Sequence, residues 1–207
     1  DALKEGLRAA DLPEDAIGLV DDVTRAGANE LMRANGLVDM LIPRGGAGLI
    51  KACVEGATVP CLETGTGICH IYVDGSADIE KALNIVKNAK TSRPSVCNAA
   101  EVCLVHRDIA KEFLPRLKAA LVDERAAAGQ VPVELRLDAE ARSIIEGKSA
   151  GELDFDTEFL DYILAVKCVD GVTEAITHIS QHSTGHSEAI VATDLDAIQQ
   201  FTTCVDS

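Results

Sequence analysis

Cys97 is the residue whose setting in this sequence is most typical of a chemical role. It follows a polar loop containing Arg93-Pro94 and precedes an apolar stretch that begins at residue 99. A cysteine on such a loop is exposed and firmly aimed. A nearby guanidinium or backbone N–H group lowers its pKa and so raises the fraction of nucleophilic thiolate. Because a cysteine is more often a small buried hydrophobe, core packing stays open as the other interpretation.

A short glycine cluster at residues 43–48 is a second candidate. It reads PRGGAG and lies between a predicted strand and a predicted helix. Glycines allow a ligand to approach the backbone, and the N-terminus of a helix offers free N–H groups to an anion. Arg44, Gly45 and Gly46 would then contact a cofactor or a phosphate group. On the pattern alone an ordinary strand-to-helix turn is favoured, because no complete GxGxxG is present.

Glu63 and three histidines complete the set of candidates. Glu63 ends a predicted strand, where a carboxylate acts as a base near a thiol or a water, although a solvated turn residue is the other interpretation. His178 and His182 share one face of a predicted helix, a spacing that permits metal chelation. No carboxylate or cysteine completes a recognised metal motif, so we expect both on the helix surface and no metal. His186 follows Gly185 in a turn before a strand, where its side chain can face a ligand.

The elements that position these residues alternate between helix and strand. In the first part of the chain we predict helices at 2–9, 24–34 and 47–55 and strands at 16–20, 37–42 and 58–62. The run LVDMLI at 37–42 is nearly continuous in apolar residues, as is typical of a strand buried on both faces of a sheet. Such an alternating order predicts a parallel sheet with crossover helices, and therefore an α/β fold.

The second part of the chain repeats this pattern. Strands are predicted at 69–74, 102–106, 131–137, 163–166 and 188–193, with helices at 78–89, 108–127, 172–181 and 194–204. Pro115 falls inside one of these helices, which either kinks there or begins just before the proline. The glycine-bearing turn at 64–67 predicts a boundary between a part at 1–66 and a part at 67–207.

Composition restricts the possible partners and the compartment. Aromatic residues make up 3% of a chain that is 47% hydrophobic, so the core must be built from aliphatic side chains, which suits α/β packing. A formal net charge of −15 repels nucleic acid and anionic membranes. The seven cysteines are odd in number, the start reads as a polar helix rather than a targeting peptide, and no apolar run reaches transmembrane length. We therefore expect free thiols in a reducing cytoplasm.

Four segments, taken in chain order, closely resemble the gamma-glutamyl phosphate reductases of the aldehyde dehydrogenase superfamily. They are VDMLIPRGG (38–46), ETGTGICHIYVD (63–74), RPSVCNAAE (93–101) and HSTGHSEAI (182–190). Each segment alone is only moderately specific, but four in order over essentially the whole chain are highly specific. The spacing of Glu63 and Cys97 is also similar to that of the glutamate and cysteine motifs of the superfamily.

The resemblance implies a three-layer α/β/α fold like that of aldehyde dehydrogenases. Residues 1–66 would form part of the Rossmann-like cofactor-binding domain, and residues 67–207 the catalytic thiol domain. Members of the family are longer than this chain, so the resemblance also predicts that the chain is part of a longer enzyme. The implied activity is the NADPH-dependent reduction of L-glutamyl 5-phosphate to L-glutamate 5-semialdehyde and phosphate, through a cysteinyl thioester, in proline biosynthesis. Beyond this small-molecule substrate, the implied partners are a second copy of the chain and glutamate 5-kinase.

The catalytic residues of the family carry over as follows. Cys97 falls on the catalytic thiol, and Asn98 and His186 fall on positions beside the substrate. Glu63 falls where hydrolytic relatives have the carboxylate that activates water. Water attack would waste an activated substrate, so the resemblance favours a positional role for Glu63.

The cofactor-binding residues carry over at two places. Arg44, Gly45 and Gly46 fall on the turn that approaches NADPH. Glu158 matches, more loosely, the glutamate that touches the cofactor ribose.

Two alternatives to this function are kept. One is a hydrolytic aldehyde dehydrogenase, against which the Arg44-Gly45-Gly46 turn and the His186 motif argue. The other is a catalytically silent domain, either truncated or part of a bifunctional pyrroline-5-carboxylate synthase. That alternative predicts no turnover and no preference among the cysteines for a thiol reagent.

Overall fold

Two compact units, Asp1–Thr64 and Gly65–Ser207, make up the chain. The structure is a computed structural model that describes residues 2–62 and 65–207. The sequence predicts the boundary between residues 66 and 67. The roles of the two parts, cofactor binding for 1–66 and thiol catalysis for 67–207, stay predictions.

Helices dominate the first unit. They are α1 (Ala2–Ala9), α2 (Arg25–Met32) and α3 (Ala47–Gly56), with a 3₁₀ turn at Glu14–Ala16. The predicted helices at 2–9, 24–34 and 47–55 are confirmed. The predicted strand at 16–20 is wrong, because the 3₁₀ turn is followed by irregular backbone whose apolar side chains are exposed.

The apolar run at 37–42 is not the buried strand that its pattern predicts. Among the described residues, its β-pairing consists of the isolated bridges Asn35–Val38 and Leu41–Cys61. Leu37 is 88% exposed. A strand buries both faces only when neighbouring strands and covering helices are present. Within residues 2–62 the structure supplies a single bridge to the segment at 58–62 rather than a sheet, so the run is left uncovered.

A six-stranded parallel sheet forms the centre of the second unit, in the order β4-β3-β5-β2-β1-β6. The strands are β1 (Cys69–Val73), β2 (Ala100–His106), β3 (Glu134–Leu137), β4 (Lys148–Ser149), β5 (Ile163–Val169) and β6 (Glu188–Val191). All but the short β4 are strands that the sequence predicts. The central strands β1 and β2 are buried along almost their whole length, as their continuous apolar runs require.

Helices cover both faces of this sheet. They are α4 (Ile79–Thr91), α5 (Arg107–Lys118), α6 (Glu124–Ala127), α7 (Ala139–Ile144), α8 (Val172–His182) and α9 (Leu195–Cys204), with a π segment at Ala119–Asp123 and a 3₁₀ turn at Glu152–Asp156. Two of these helices, α4 and α9, begin at capping aspartates: Asp78 accepts from the Lys81 N–H before α4, and Asp194 accepts from the Asp196 N–H before α9.

Successive strand residues point into two separate cores, as the twofold repeat of a strand requires. On one face, Val73 of β1 and Val105 of β2 pack with Phe113 and Leu117 of α5. On the other face, aliphatic and aromatic residues of the strands pack with α8 and α9; they include Tyr72, Leu104, Ala165, Ile179 and Phe201. The arrangement is the three-layer α/β/α fold expected for an aldehyde dehydrogenase-like chain.

Pro115 lies inside α5, which begins eight residues earlier at Arg107. The possibility that this helix begins just before the proline is therefore wrong. A proline within a helix loses one backbone hydrogen bond at a cost of about 3 kcal/mol. Complete burial of Phe113, Leu114 and Leu117 on the same helix offsets that loss.

Candidate functional site

Four loops meet at the amino edge of the sheet, where the strands begin. Gly67 precedes β1, Cys97 precedes β2, Glu158 precedes β5 and His186 precedes β6. These strands are parallel and adjacent in the order β5-β2-β1-β6. Residues that precede adjacent parallel strands must lie along one edge, so the sheet topology brings together segments that are far apart in the sequence.

Cys97 is exposed in a tight backbone turn. The Ala99 N–H donates to the Val96 carbonyl at 3.0 Å, which places Cys97 and Asn98 at the two central positions of the turn. Asn98 is also exposed, whereas the next two residues are buried and fix the turn to the start of β2. The side chain predicted as a nucleophile is thus open to solvent on a backbone that is anchored close by.

Gly67 lies directly against the backbone of Cys97. A Cβ added at Gly67 would come within 1.8 Å of the Cys97 carbonyl oxygen, a distance at which only glycine fits. The Gly67 N–H in turn donates to Oε1 of Glu158 at 2.8 Å. The Glu158 carboxylate therefore binds the Gly67 peptide, which lies against the Cys97 backbone. The contact that the resemblance implies for Glu158 is a different one, with the cofactor ribose.

Cys69 connects Cys97 with His186. The Cys69 thiol donates to the Cys97 carbonyl at 3.3 Å, and its sulfur lies 3.9 Å from Nδ1 of His186. Burial raises the pKa of Cys69 to about 12, and the nearby Glu188 carboxylate acts in the same direction. Cys69 is therefore a neutral hydrogen-bond donor under physiological conditions and is itself unsuited to be the nucleophile.

Side chains of the last motif hold the segment that leads into β1. The Ile68 N–H donates to the Thr184 hydroxyl at 3.1 Å, and the His70 N–H donates to the Glu188 carboxylate. From the sequence, a role is predicted for only one residue of this motif, His186. The sequence holds one signal for the other two residues: Thr184 precedes β6 and Glu188 begins it. Since β6 lies next to β1, which begins at Cys69, both residues are placed beside the start of β1.

His178 is buried, contrary to the prediction that it lies on the helix surface. It faces the sheet from α8, its ring lies 5.5 Å from that of His70, and its Nδ1 lies 3.3 Å from Nζ of Lys167. Burial lowers the pKa of His178 to about 2, so the imidazole is neutral. His182, one turn later, is only partly buried and contacts Asp156 at 2.7 Å. The prediction was wrong because both faces of α8 carry side chains able to face solvent, and packing against the strands chose one of them.

In residues 2–62 and 65–207, no group of three or more His, Cys, Asp or Glu side chains has the geometry to hold a metal ion. Across these same residues, no helix has the length and apolar character needed to cross a membrane.

The predicted cofactor turn lies in the first unit. Pro43 is buried, whereas Arg44, Gly45 and Gly46 are exposed at the start of α3. Gly46 is the N-cap of this helix and has no side chain to occupy the first backbone N–H groups. Glu63, the remaining predicted catalytic residue, lies outside the described residues.

A surface pocket of about 770 Å³ lies at the opposite, carboxyl edge of the sheet. Its lining includes His106 and a set of carboxylates: Asp74, Asp170, Glu174, Asp194 and Asp196. An acidic lining disfavours the anionic acyl phosphate that the sequence resemblance implies. The amino edge with Cys97 is therefore the better candidate for the chemistry, although in many α/β sheets ligands bind at the carboxyl edge.

Comparison with known proteins adds family information to this geometry. A family model described as "Aldehyde dehydrogenase family" matches residues 2–132. The chain is 60% identical to a protein named gamma-glutamyl phosphate reductase from Streptococcus suis, over 100% of this chain and 48% of that protein. It thus spans about half the length of the curated relatives that it matches.

Solved structures agree with the fold. The crystal structure of a gamma-glutamyl phosphate reductase from Thermotoga maritima superimposes with a TM-score of 0.88 at 43% identity, covering 100% of this chain and 48% of that one. An engineered glycolyl-CoA reductase with bound NADP⁺ superimposes with a TM-score of 0.76 at 19% identity, covering 99% of this chain and 53% of that one. The second likeness supports the fold alone.

Proposed function

This chain belongs to the aldehyde dehydrogenase family, and from that premise we propose that its protein reduces L-glutamyl 5-phosphate to L-glutamate 5-semialdehyde and phosphate, with Cys97 as the nucleophile. The observation that carries the proposal is the exposed Cys97, held in a turn at the amino edge of the sheet against Gly67. The names of the similar proteins support the choice of substrate and a place in proline biosynthesis. The activity is proposed for the whole protein.

The proposed reaction begins at the sulfur of Cys97. Its thiolate attacks the acyl carbon, a C–S bond forms, and the C–O bond to phosphate breaks with the electron pair leaving on phosphate. Phosphate is a good leaving group, so this step needs no strong general acid. The thioester divides one difficult reduction into two easier steps.

Charge that develops on the acyl oxygen needs hydrogen-bond donors at the same turn. The Ala99 N–H is used by Val96 within the turn. The N–H groups of Cys97 and Asn98 are therefore the proposed donors of hydrogen bonds to the developing oxyanion, where fixed donors are most effective. After reduction, the Cys97 sulfur leaves the carbon as a thiolate and the aldehyde is released.

A nicotinamide dinucleotide, when bound, supplies the hydride for the thioester. The start of α3 fits the phosphates of such a cofactor, because Gly46 leaves the helix N-terminus uncapped and the exposed Arg44 adds a cation. Gly45 and Gly46 keep this turn free of side chains. We assign NADPH rather than NADH from the family resemblance, and a comparison of turnover with NADP⁺ and NAD⁺ tests that choice.

His186 and Glu63 complete the proposal. His186 is exposed beside Cys69, where an imidazole can donate to a substrate phosphate. A positional role is proposed for Glu63, since a general base that activates water would hydrolyse the thioester. Self-association and an association with glutamate 5-kinase stay predictions.

The structure shows free thiols at six positions: Cys53, Cys69, Cys97, Cys103, Cys168 and Cys204. This supports a reducing compartment, which we propose to be the cytoplasm.

The decisive experiment replaces Cys97 by Ser in a protein of the length of the curated relatives. Phosphate-dependent oxidation of L-glutamate 5-semialdehyde by NADP⁺ is then followed by absorbance. We expect the rate to fall by at least ~10³-fold, because the oxygen of serine is not ionised at neutral pH. Cys204→Ser is the matched control, as Cys204 is also exposed but lies in α9. Retention of more than a tenth of the activity by the Cys97 variant would refute the proposal.

A further inference from the structure

A fully buried ion pair lies beside the Cys97 turn. Nζ of Lys90, in the last turn of α4, is 2.6 Å from Oε2 of Glu101 in β2, and both side chains are completely shielded from solvent. Burial lowers the pKa of Lys90 and raises that of Glu101, while each partner opposes the shift of the other. Buried ion pairs contribute little net stability, because removing two charges from water offsets most of their attraction. The pair is therefore expected to have a role besides stability.

The second oxygen of Glu101 holds a loop in an uncommon backbone conformation. Oε1 of Glu101 accepts from the N–H of Leu160 at 3.3 Å. Leu160 has a φ of 54°, in the left-handed region that side chains other than glycine, asparagine and aspartate seldom adopt. Leu160 is 45% exposed, so packing alone does not enforce this backbone. The hydrogen bond that the Leu160 N–H donates to Glu101 is a contact that specifically favours this backbone conformation.

The same loop presents Glu158 to the peptide beneath Cys97. Glu158 lies two residues before Leu160, and its Oε1 accepts from the Gly67 N–H at 2.8 Å. Gly67 in turn lies against the Cys97 carbonyl. The contacts thus run from Lys90 through Glu101, the loop and Gly67 to the thiol turn.

We propose that Lys90 and Glu101 are positioning residues that fix the Cys97 turn through the Leu160 loop and the Glu158–Gly67 hydrogen bond. Neither side chain touches the substrate. Their effect is to keep the Gly67 peptide, and with it the Cys97 carbonyl, in one position while the thiol reacts. The inference rests on the proposed role of Cys97.

The test replaces the ion pair by apolar residues of similar size, Lys90→Met with Glu101→Leu, in the full-length protein. Apolar replacement of a buried pair is often neutral for stability, so the fold is expected to be retained. The measurements are kcat and KM, the melting temperature, and the rate of alkylation of each cysteine by iodoacetamide, read by mass spectrometry. Exposed Cys204 is the internal reference for Cys97, and buried Cys103 reports unfolding.

In this variant we expect the Cys97:Cys204 ratio of alkylation rates to change by at least ~10-fold and kcat to fall by a similar factor, because misplacement by about 1 Å is enough for large losses. The change in KM should be smaller, and Cys103 should remain protected from alkylation. Adding Leu160→Gly should restore part of the ratio, since glycine adopts the left-handed backbone without help. Lys87→Met with Glu124→Gln removes an exposed ion pair between α4 and α6 and should leave all readouts unchanged.

An unchanged ratio and kcat in a folded Lys90/Glu101 variant would overturn the inference. If that variant is alkylated at Cys103 and is therefore unfolded, Glu158→Ala is tested instead, because it removes the Glu158–Gly67 hydrogen bond and leaves the buried ion pair in place. An unchanged alkylation ratio in Glu158→Ala would also overturn the inference. The two proposals fail separately. Activity in Cys97→Ser would refute the proposed function. If Cys97→Ser is inactive but the Lys90/Glu101 variant has an unaltered alkylation ratio, only the positioning role is refuted.

Discussion

Gly67→Ala should disable the thiol turn without touching the thiol. The added methyl carbon would lie 1.8 Å from the Cys97 oxygen, 2.7 Å from its carbonyl carbon and 3.2 Å from its Cα. Real Cβ atoms essentially never come closer than 3.0 Å to such an atom, so one backbone must move by at least 1.2 Å (3.0 minus 1.8). The two atoms inside this limit, the oxygen and the carbonyl carbon, are both backbone, so no side-chain rotation relieves the overlap. The Gly67 segment or the Cys97 turn must therefore shift.

A shift of that size at Cys97, the proposed nucleophile, is expected to cost ~10²-fold or more in kcat/KM. Activity is measured by phosphate-dependent reduction of NADP⁺ in the full-length protein, and the position of the turn by the alkylation rate of Cys97 relative to Cys204. Gly65→Ala is the matched control, because an added Cβ there has no neighbour within 4 Å. If Gly67→Ala retains both the activity and the alkylation ratio of the unmodified protein, the close approach of Gly67 to Cys97 is refuted.

Three further predictions concern thiols, pH and the core. Under native conditions at pH 8, iodoacetamide should modify Cys97 and Cys204, both exposed, well before the three cysteines whose pKa burial raises to about 12; these are Cys69, Cys103 and Cys168. Burial lowers the pKa of His178 to about 2, so below about pH 6.5 only the unfolded chain binds a proton at this residue. The free energy of unfolding, measured in urea, should therefore be unaffected by His178 above about pH 6.5 and should decrease below it by up to about 1.4 kcal/mol per pH unit. The variant His178→Gln should lose part of this acid sensitivity, whereas His182→Gln, at a partly exposed site, should keep it. Leu104→Ala, at a fully buried position of β2, should lower the free energy of unfolding by about 2–5 kcal/mol.

Each of these has a clear contrary result. Rapid native labelling of Cys103 would contradict the burial of β2. An unaltered slope of stability against pH between 6.5 and 5 in His178→Gln would contradict the buried neutral imidazole. A loss below about 1 kcal/mol for Leu104→Ala would mean that the strand is not packed as described.

Local sequence signals determined most elements of the second unit. The helices α4 and α9 begin where an aspartate precedes an apolar periodic run, and in both cases the aspartate caps the first turn. The strands β1, β2 and β5 are apolar runs of strand length between turns, and they form the centre of the sheet. These signals depend on neighbouring residues, so one sequence is enough to find them.

Burial of particular side chains was decided by the tertiary structure. Leu37 belongs to a run with the composition of a buried strand, yet it is exposed because the described part of the first unit gives that run no sheet. His178 has the spacing of a surface residue, yet it is buried because α8 turns that face toward β1 and β5. Neither outcome is encoded within a few residues of the position concerned.

The sequence by itself identified Cys97, through its loop and its family motif, as the residue to examine. It did not reveal Gly67, Glu101 or Leu160 as parts of the same arrangement. The contacts that link these residues to the thiol turn are Gly67–Cys97, Gly67–Glu158 and Glu101–Leu160, which span 30 to 91 residues of chain. They exist only because parallel strands place their starting points on one edge. Residue type and local spacing are properties of the chain, whereas the distance between two loops is fixed by the order of strands in the sheet.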